Sequence, residues 1–176
     1  MTPGAADGGP DVGLLVQLLG GAGLTVAVAE SLTGGAVTEA FVAVPGASRC
    51  LRGGVVAYAA DLKTALLGVP AVLLDRRGAV DPEVAAAMAV GVRERLSADY
   101  GVATTGVAGP DPADGRPAGT YHVAVSGPWG SEIVSVTGTP DEPMTRAGVR
   151  AGARDAALRL LDAQVRQDLR RGPVAT

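Results

Sequence analysis

Three short apolar runs, each ending in a polar or glycine-bearing turn, constrain this chain more than any other feature. Leu24–Ala29 is apolar and partly β-branched, and it leads into Ser31-Leu32-Thr33-Gly34-Gly35. Gly53–Tyr58 is followed within about a turn by Lys63. Tyr100–Thr105 opens onto the loop Gly106–Ala118, rich in glycine and proline. Runs of this length bounded by turn residues read as buried strands. Between them the apolar spacing changes to a helical period. Asp11 can cap a helix reaching about Leu19, stopped by Gly20, Gly21 and Gly23. A small-residue helix is expected after Gly35 as far as about Val44, ended by Pro45-Gly46. Asp61–Leu67 and a segment opened by Pro70 and stopped by Gly78 are short helices. Asp81-Pro82-Glu83 is a strong helix start, and that helix should run to about Leu96. Thr120–Ser126 and Glu132–Thr137 suit a hairpin around Gly127-Pro128-Trp129-Gly130. A last helix is expected from about Glu142 or Thr145 to Asp168.

Alternating strands and helices specify an α/β protein, a three-layer sandwich. The late hairpin makes the sheet mixed, though mainly parallel. No internal repeat or linker divides the chain. The expectation is a disordered leader over 1–10, one domain over 11–170 and a short tail over 171–176.

Composition narrows the function. The chain has 176 residues, enough for one domain with a real core. Aromatics are only 3 %, so Ala, Val and Leu must fill that core. No apolar run approaches the roughly 18–20 residues that span a bilayer, and the first residues lack the pattern of a secretory signal. Cys50 is alone, which rules out an internal disulfide framework and a thiolate metal cluster. A cytoplasmic location and no membrane partner are expected. The formal net charge of −3 argues against nucleic acid as a partner. The one basic cluster, Arg166–Arg171, is diluted by Asp168 and suits a solvated helix end.

Among the basic residues Lys63 is the sole lysine. An arginine-rich composition explains its isolation, but it also makes the position informative, because Lys can give up its proton at working pH and Arg cannot. Ser31 stands where a strand turns into a helix. Such a turn aims a side chain and backbone N–H groups at one point, and can supply a nucleophile and an oxyanion hole. The same turn also suits Ser31 or Thr33 as a plain helix cap. Tyr58 at a strand end and Lys63 on the next helix can converge on one cleft, or can both be surface residues. Thr105-Gly106-Val107-Ala108-Gly109-Pro110 offers free backbone N–H groups to an anion or carbonyl, and is weak evidence alone. Phosphate-loop, dinucleotide and G-x-S-x-G patterns are absent. The only histidine, His122, falls inside a strand, a poor place for a triad member. Scattered carboxylates and a single His and Cys give no metal site, and no cofactor is expected. If Ser31 is a nucleophile, Lys63 is therefore the natural base, provided desolvation lowers its pKa.

Taken together, these segments resemble the CinA C-terminal domain family, the nicotinamide-nucleotide amidases. The resemblance rests on Glu30-Ser31-Leu32-Thr33-Gly34-Gly35, Pro45-Gly46-Ala47-Ser48 and Arg52-Gly53-Gly54-Val55-Val56-Ala57-Tyr58. It continues through Lys63, Leu66-Leu67-Gly68-Val69, Gly78-Ala79-Val80, Thr105–Pro110, Gly119-Thr120, Arg146 and Arg150, covering about residues 11–165. It implies hydrolysis of nicotinamide mononucleotide to nicotinate mononucleotide and ammonia, without a cofactor, by a homo-oligomer (dimer or higher). By resemblance Ser31 is the nucleophile, Lys63 its base and Tyr58 the accompanying tyrosine. Thr33, Gly34, Gly35, Thr105, Gly106, Ala108 and Gly109 match the substrate cradle. Arg146 and Arg150 match arginines suited to the nucleotide phosphate. Leu32 stands where the family often has Cys, and Gly138–Thr145 replaces a compact Gly-Asp-Arg. The rival reading is a nucleotide-binding regulatory module without turnover.

Overall fold

The computed structural model describes residues 9–139 and 144–172. Most of the expected leader, residues 140–143 and residues 173–176 lie outside the described residues. Five strands form one sheet in the order β2-β1-β3-β4-β5. They are β1 (Val26–Glu30), β2 (Leu51–Val56), β3 (Tyr100–Gly106), β4 (Tyr121–Gly127) and β5 (Gly130–Val136). β2, β1 and β3 are parallel, whereas β4 runs antiparallel to both its neighbours. Four strands thus point one way and β4 the other, a mixed sheet with a parallel core.

The helices are α1 (Val12–Ala22), α2 (Ala36–Val42), α3 (Ala60–Leu67), α4 (Ala71–Arg77), α5 (Pro82–Arg95) and α6 (Arg146–Arg171). Strand alternation sorts them into two layers. Val26 and Val28 of β1, Tyr100 and Val102 of β3, and Val123 and Val125 of β4 face one side. There they pack with Leu15 and Leu19 of α1, Phe41 of α2, and Leu158 and Leu161 of α6. On the other side Ala27, Ala29, Ala103 and Ala124 meet Leu67 of α3 and Val84, Met88 and Val92 of α5. Bulky residues fill one interface. Alanines line the other and let α5 lie close to the sheet. Close packing continues between helices, because a Cβ at Gly91 of α5 would stand 1.9 Å from the Leu67 carbonyl oxygen. That contact fixes α3, and α3 carries Lys63.

Several boundaries depart from the sequence reading. α1 continues through Gly20 and Gly21 to Ala22, and only Gly23, with φ of 67°, stops it. A glycine inside a helix costs only about 1 kcal/mol, so burial of Leu15 and Leu19 outweighs it. α2 stops at Val42, two residues short of the expected end. β2 begins at Leu51 and ends at Val56, which leaves Tyr58 beyond the strand. α6 starts at Arg146 with Thr145 as its side-chain cap, and continues past Asp168 to Arg171. The expected starts at Asp81 and Asp11 stand: Asp81 accepts from the Glu83 N–H, and Asp11 from that of Leu14. No described helix is long and apolar enough to cross a membrane.

Candidate active site

β1 is an interior strand, second in the sheet, and the strands that follow it in the chain fall on opposite sides of it. β2 lies on one side of it, and β3, reached through α3, α4 and α5, on the other. The gap at the carboxyl ends of β1 and β3 is therefore a topological switch point, where open α/β sheets place ligands. Ser31 immediately follows β1, and Gly106 ends β3. Between them and α3 lies a cleft of about 260 Å³. Its lining includes Ser31, Tyr58, Lys63, Thr105, Gly106, Ala108 and Arg146.

Alternation along β1 decides which side chains reach this cleft. Ala27 and Ala29 face α5, and Ser31 continues their direction toward α3. Glu30 points the opposite way, toward α2. Ser31 is 7 % exposed. Its N–H donates to the Thr104 carbonyl at 3.1 Å, and its carbonyl accepts from Gly34 at 3.1 Å. The turn is thus tied to β3 and to itself.

Lys63 is 1 % exposed, an unusual environment for an amine. It shares the inner face of α3 with Leu67, four residues on. Its Nζ lies 2.8 Å from the Ala57 carbonyl oxygen and 3.1 Å from Ser31 Oγ. Burial pulls its pKa down to about 8, and the Asp114 carboxylate partly opposes that shift. A substantial neutral fraction near pH 8 follows. Neutral Nζ can still donate one N–H to Ala57 while its lone pair faces the Ser31 hydroxyl.

Tyr58 is 61 % exposed and stands at the mouth of the cleft. Arg146 joins the mouth to the loop after β3. Its guanidinium donates to the Gly109 carbonyl at 2.8 Å and to Tyr58 Oη at 3.3 Å. Thr105 Oγ1 donates to the Ala79 carbonyl at 2.7 Å. Val107 N–H donates to Thr120, which by antiparallel alternation turns the Gly106 N–H away from β4, toward the β1 side.

Three residues expected in the cradle, and one arginine expected at the phosphate, lie elsewhere. Thr33 is fully buried, with its hydroxyl 2.7 Å from that of Thr104. Gly34 N–H is spent on Ser31, and Gly35 N–H donates to Glu30 at 2.9 Å. Arg150 donates to the Leu32 and Thr33 carbonyls at 3.1 and 2.8 Å, so it braces the turn after Ser31 from the α6 side. None of these four lines the cleft. Gly109 is also absent from the lining and meets Arg146 through its carbonyl. His122 lies in β4 with Nδ1 2.8 Å from Ser135 Oγ, outside the cleft lining.

Asp114 was not foreseen from sequence. It lines the cleft and accepts from the N–H groups of Ala79 and Val80, fastening the loop to the turn before α5. Arg116 strengthens that closure by approaching Asp81 at 3.6 Å. The available signal was Asp114-Gly115, a turn pair in which Asp tolerates the positive φ of 56° it adopts here.

The fold is a three-layer α/β/α sandwich, with Ser31 and Lys63 side by side at its switch point. Comparison with known proteins places the chain in a family. The model of the CinA C-terminal domain matches residues 12–165, and the chain belongs to that family. A CinA-like protein of Frankia casuarinae is 48 % identical over 150 residues, covering 85 % of this chain and 34 % of the relative. One of Gloeobacter violaceus is 54 % identical over 115 residues, 65 % of this chain and 27 % of that protein. The chain therefore spans about a third of the length of these curated relatives. Among solved structures, a CinA superfamily protein of Escherichia coli superposes with a TM-score of 0.81 at 32 % identity, covering 87 % of each chain. A competence/damage inducible protein of Agrobacterium tumefaciens gives a TM-score of 0.77 at 30 % identity, covering 93 % of this chain and 98 % of its own.

Proposed function

We propose that this chain is an amidase that hydrolyses the carboxamide of nicotinamide mononucleotide, giving nicotinate mononucleotide and ammonia. The observation that carries the reading is the buried Lys63 amine 3.1 Å from Ser31 Oγ, beside a cleft at the strand ends. Lys63, neutral in its site, takes the Ser31 proton as Oγ attacks the amide carbon. The tetrahedral oxyanion forms between the two strand ends, where the Gly106 N–H is available to stabilise it. Loss of one such donor typically costs about 10²–10³ in rate. Protonated Lys63 then delivers a proton to the departing nitrogen, and ammonia leaves an ester on Ser31. Water, deprotonated by the same amine, hydrolyses that ester and restores the hydroxyl. Arg146 at the mouth suits the phosphate, with Tyr58 beside it. Arg150 suits it less well, because its Nε and Nη2 donate to the turn and it does not line the cleft. The reading carries with it a cytoplasmic enzyme working as a homo-oligomer, to be checked by light scattering.

The test is ammonia release from nicotinamide mononucleotide by the wild type, Ser31→Ala and Lys63→Arg proteins. The proposal expects release by the wild type alone. Nucleotide binding with no ammonia from any of them would favour the regulatory module instead.

A further inference from the structure

Glu30 is fully buried, yet it is not in the cleft. It directly precedes Ser31 and points to the opposite face of the sheet. Its Oε2 accepts from the N–H groups of Gly35 and Val37 at 2.9 and 3.1 Å. Its Oε1 accepts from the Thr38 N–H at 2.9 Å and the Thr38 hydroxyl at 2.7 Å. A carboxylate offers about four lone-pair sites, and these four donors use them. The charge is thereby compensated at the first turn of α2, whose free N–H groups favour an anion. No lone pair remains for substrate, and no proton needs to move. The anion at this helix end is the chain's own.

The main chain of the same residue reaches the lysine. Ala57 N–H donates to the Glu30 carbonyl at 2.8 Å, and the Ala57 carbonyl accepts from Lys63 Nζ at 2.8 Å. One residue therefore stands next to Ser31 in sequence and holds, through Ala57, the group that anchors Lys63. Fixing the Glu30 side chain at α2 fixes both ends of the serine–lysine contact.

We propose that Glu30 is a positioning residue: its carboxylate clamps the first turn of α2 and so sets the separation between Ser31 Oγ and Lys63 Nζ. The proposal rests on Ser31 acting as a nucleophile. Glu30→Gln keeps the size of the side chain but replaces an acceptor with an amide NH₂ facing backbone donors. Thr38→Val keeps the charge and removes one donor.

The experiment measures four quantities for the wild type and both variants. These are melting temperature, kcat and KM for ammonia release, and the rate of Ser31 labelling by a fluorophosphonate. In that labelling Oγ bonds phosphorus, fluoride leaves and the serine proton passes to the base, so it reads the pair without the nucleotide substrate. A displacement on the order of 1 Å near reacting atoms can cost about 10²-fold. The expected result is a loss of about tenfold or more in labelling and in kcat for folded Glu30→Gln, with KM nearly unchanged, and about threefold for Thr38→Val. Labelling and kcat within about twofold of wild type in folded Glu30→Gln would overturn the proposal, whatever its melting temperature. If Glu30→Gln does not fold, Thr38→Val decides by the same criterion. A wild type that labels at Ser31 but releases no ammonia sinks the amidase reading and leaves the clamp to be judged on labelling. A wild type that does neither overturns both.

Discussion

The two faces of the central sheet are built from different residues for different ends. The face toward α1, α2 and α6 carries Val26, Val28, Tyr100, Val102, Val123 and Val125, and buries the bulk of the core against Phe41, Leu158 and Leu161. The face toward α3 and α5 carries Ala27, Ala29, Ala103 and Ala124. Small side chains there draw the helices in until Gly91 touches the backbone at Leu67. This is also the face from which Ser31 and Lys63 meet. Bulk on one side holds the sheet together, and closeness on the other brings an amine to a hydroxyl. Stability and chemistry should therefore respond differently to substitutions in the apolar packing of the two faces.

Ser31→Ala should have the largest effect on turnover, a fall of about 10⁴-fold or more in kcat, read as ammonia release. Lys63→Arg follows, with a loss of about 10³-fold. It keeps a positive charge but cannot accept the serine proton. Full activity in this variant would remove Lys63 from the mechanism. Gly91→Ala sharpens the contrast. Its Cβ must push α3 away, so stability should fall by about 1–3 kcal/mol and kcat by about tenfold. Leu161→Ala, on the bulky face, should cost about 2–5 kcal/mol by denaturant titration while the folded protein keeps kcat within about twofold. If Leu161→Ala damages turnover as much as Gly91→Ala does, the division of labour between the faces is wrong.

Much of this was legible in the sequence. Short apolar runs, helix starts at Asp11 and Asp81, and the stop at Gly78 are local signals, and they located each strand and α-helix to within a few residues. The serine–lysine pair was legible because one strand turn and one lysine stood out against an arginine-rich background. The partners of the turn were not. Arg150 follows Leu32 by well over a hundred residues, and nothing in local spacing shows that its guanidinium braces two carbonyls there. The anion-friendly amides after Ser31 read as open to substrate because sequence gives no sign that Glu30 folds back onto them. Asp114 was hidden for the same reason: its partners, Ala79 and Val80, are distant in sequence.

Burial of Lys63 also predicts a signature in stability. Its folded pKa of about 8 lies below that of an unfolded lysine. The unfolded chain then binds more protons at this group between those values, so its contribution to stability rises as pH increases through that window. The difference in unfolding free energy between wild type and Lys63→Met should shift in the wild type's favour from about pH 8 to about pH 10. Other titrating groups, common to both proteins, cancel in that comparison.

The most direct measurement uses the fact that the chain has one lysine. Labelling lysine with ¹⁵N at Nζ gives a single side-chain resonance, which can be followed by NMR as pH is raised. A midpoint near 8, absent from the unfolded chain, is expected of an amine buried as Lys63 is. A midpoint at about 10 or above, the ordinary value for an exposed lysine, would mean that Lys63 stays charged at working pH and cannot be the base for Ser31.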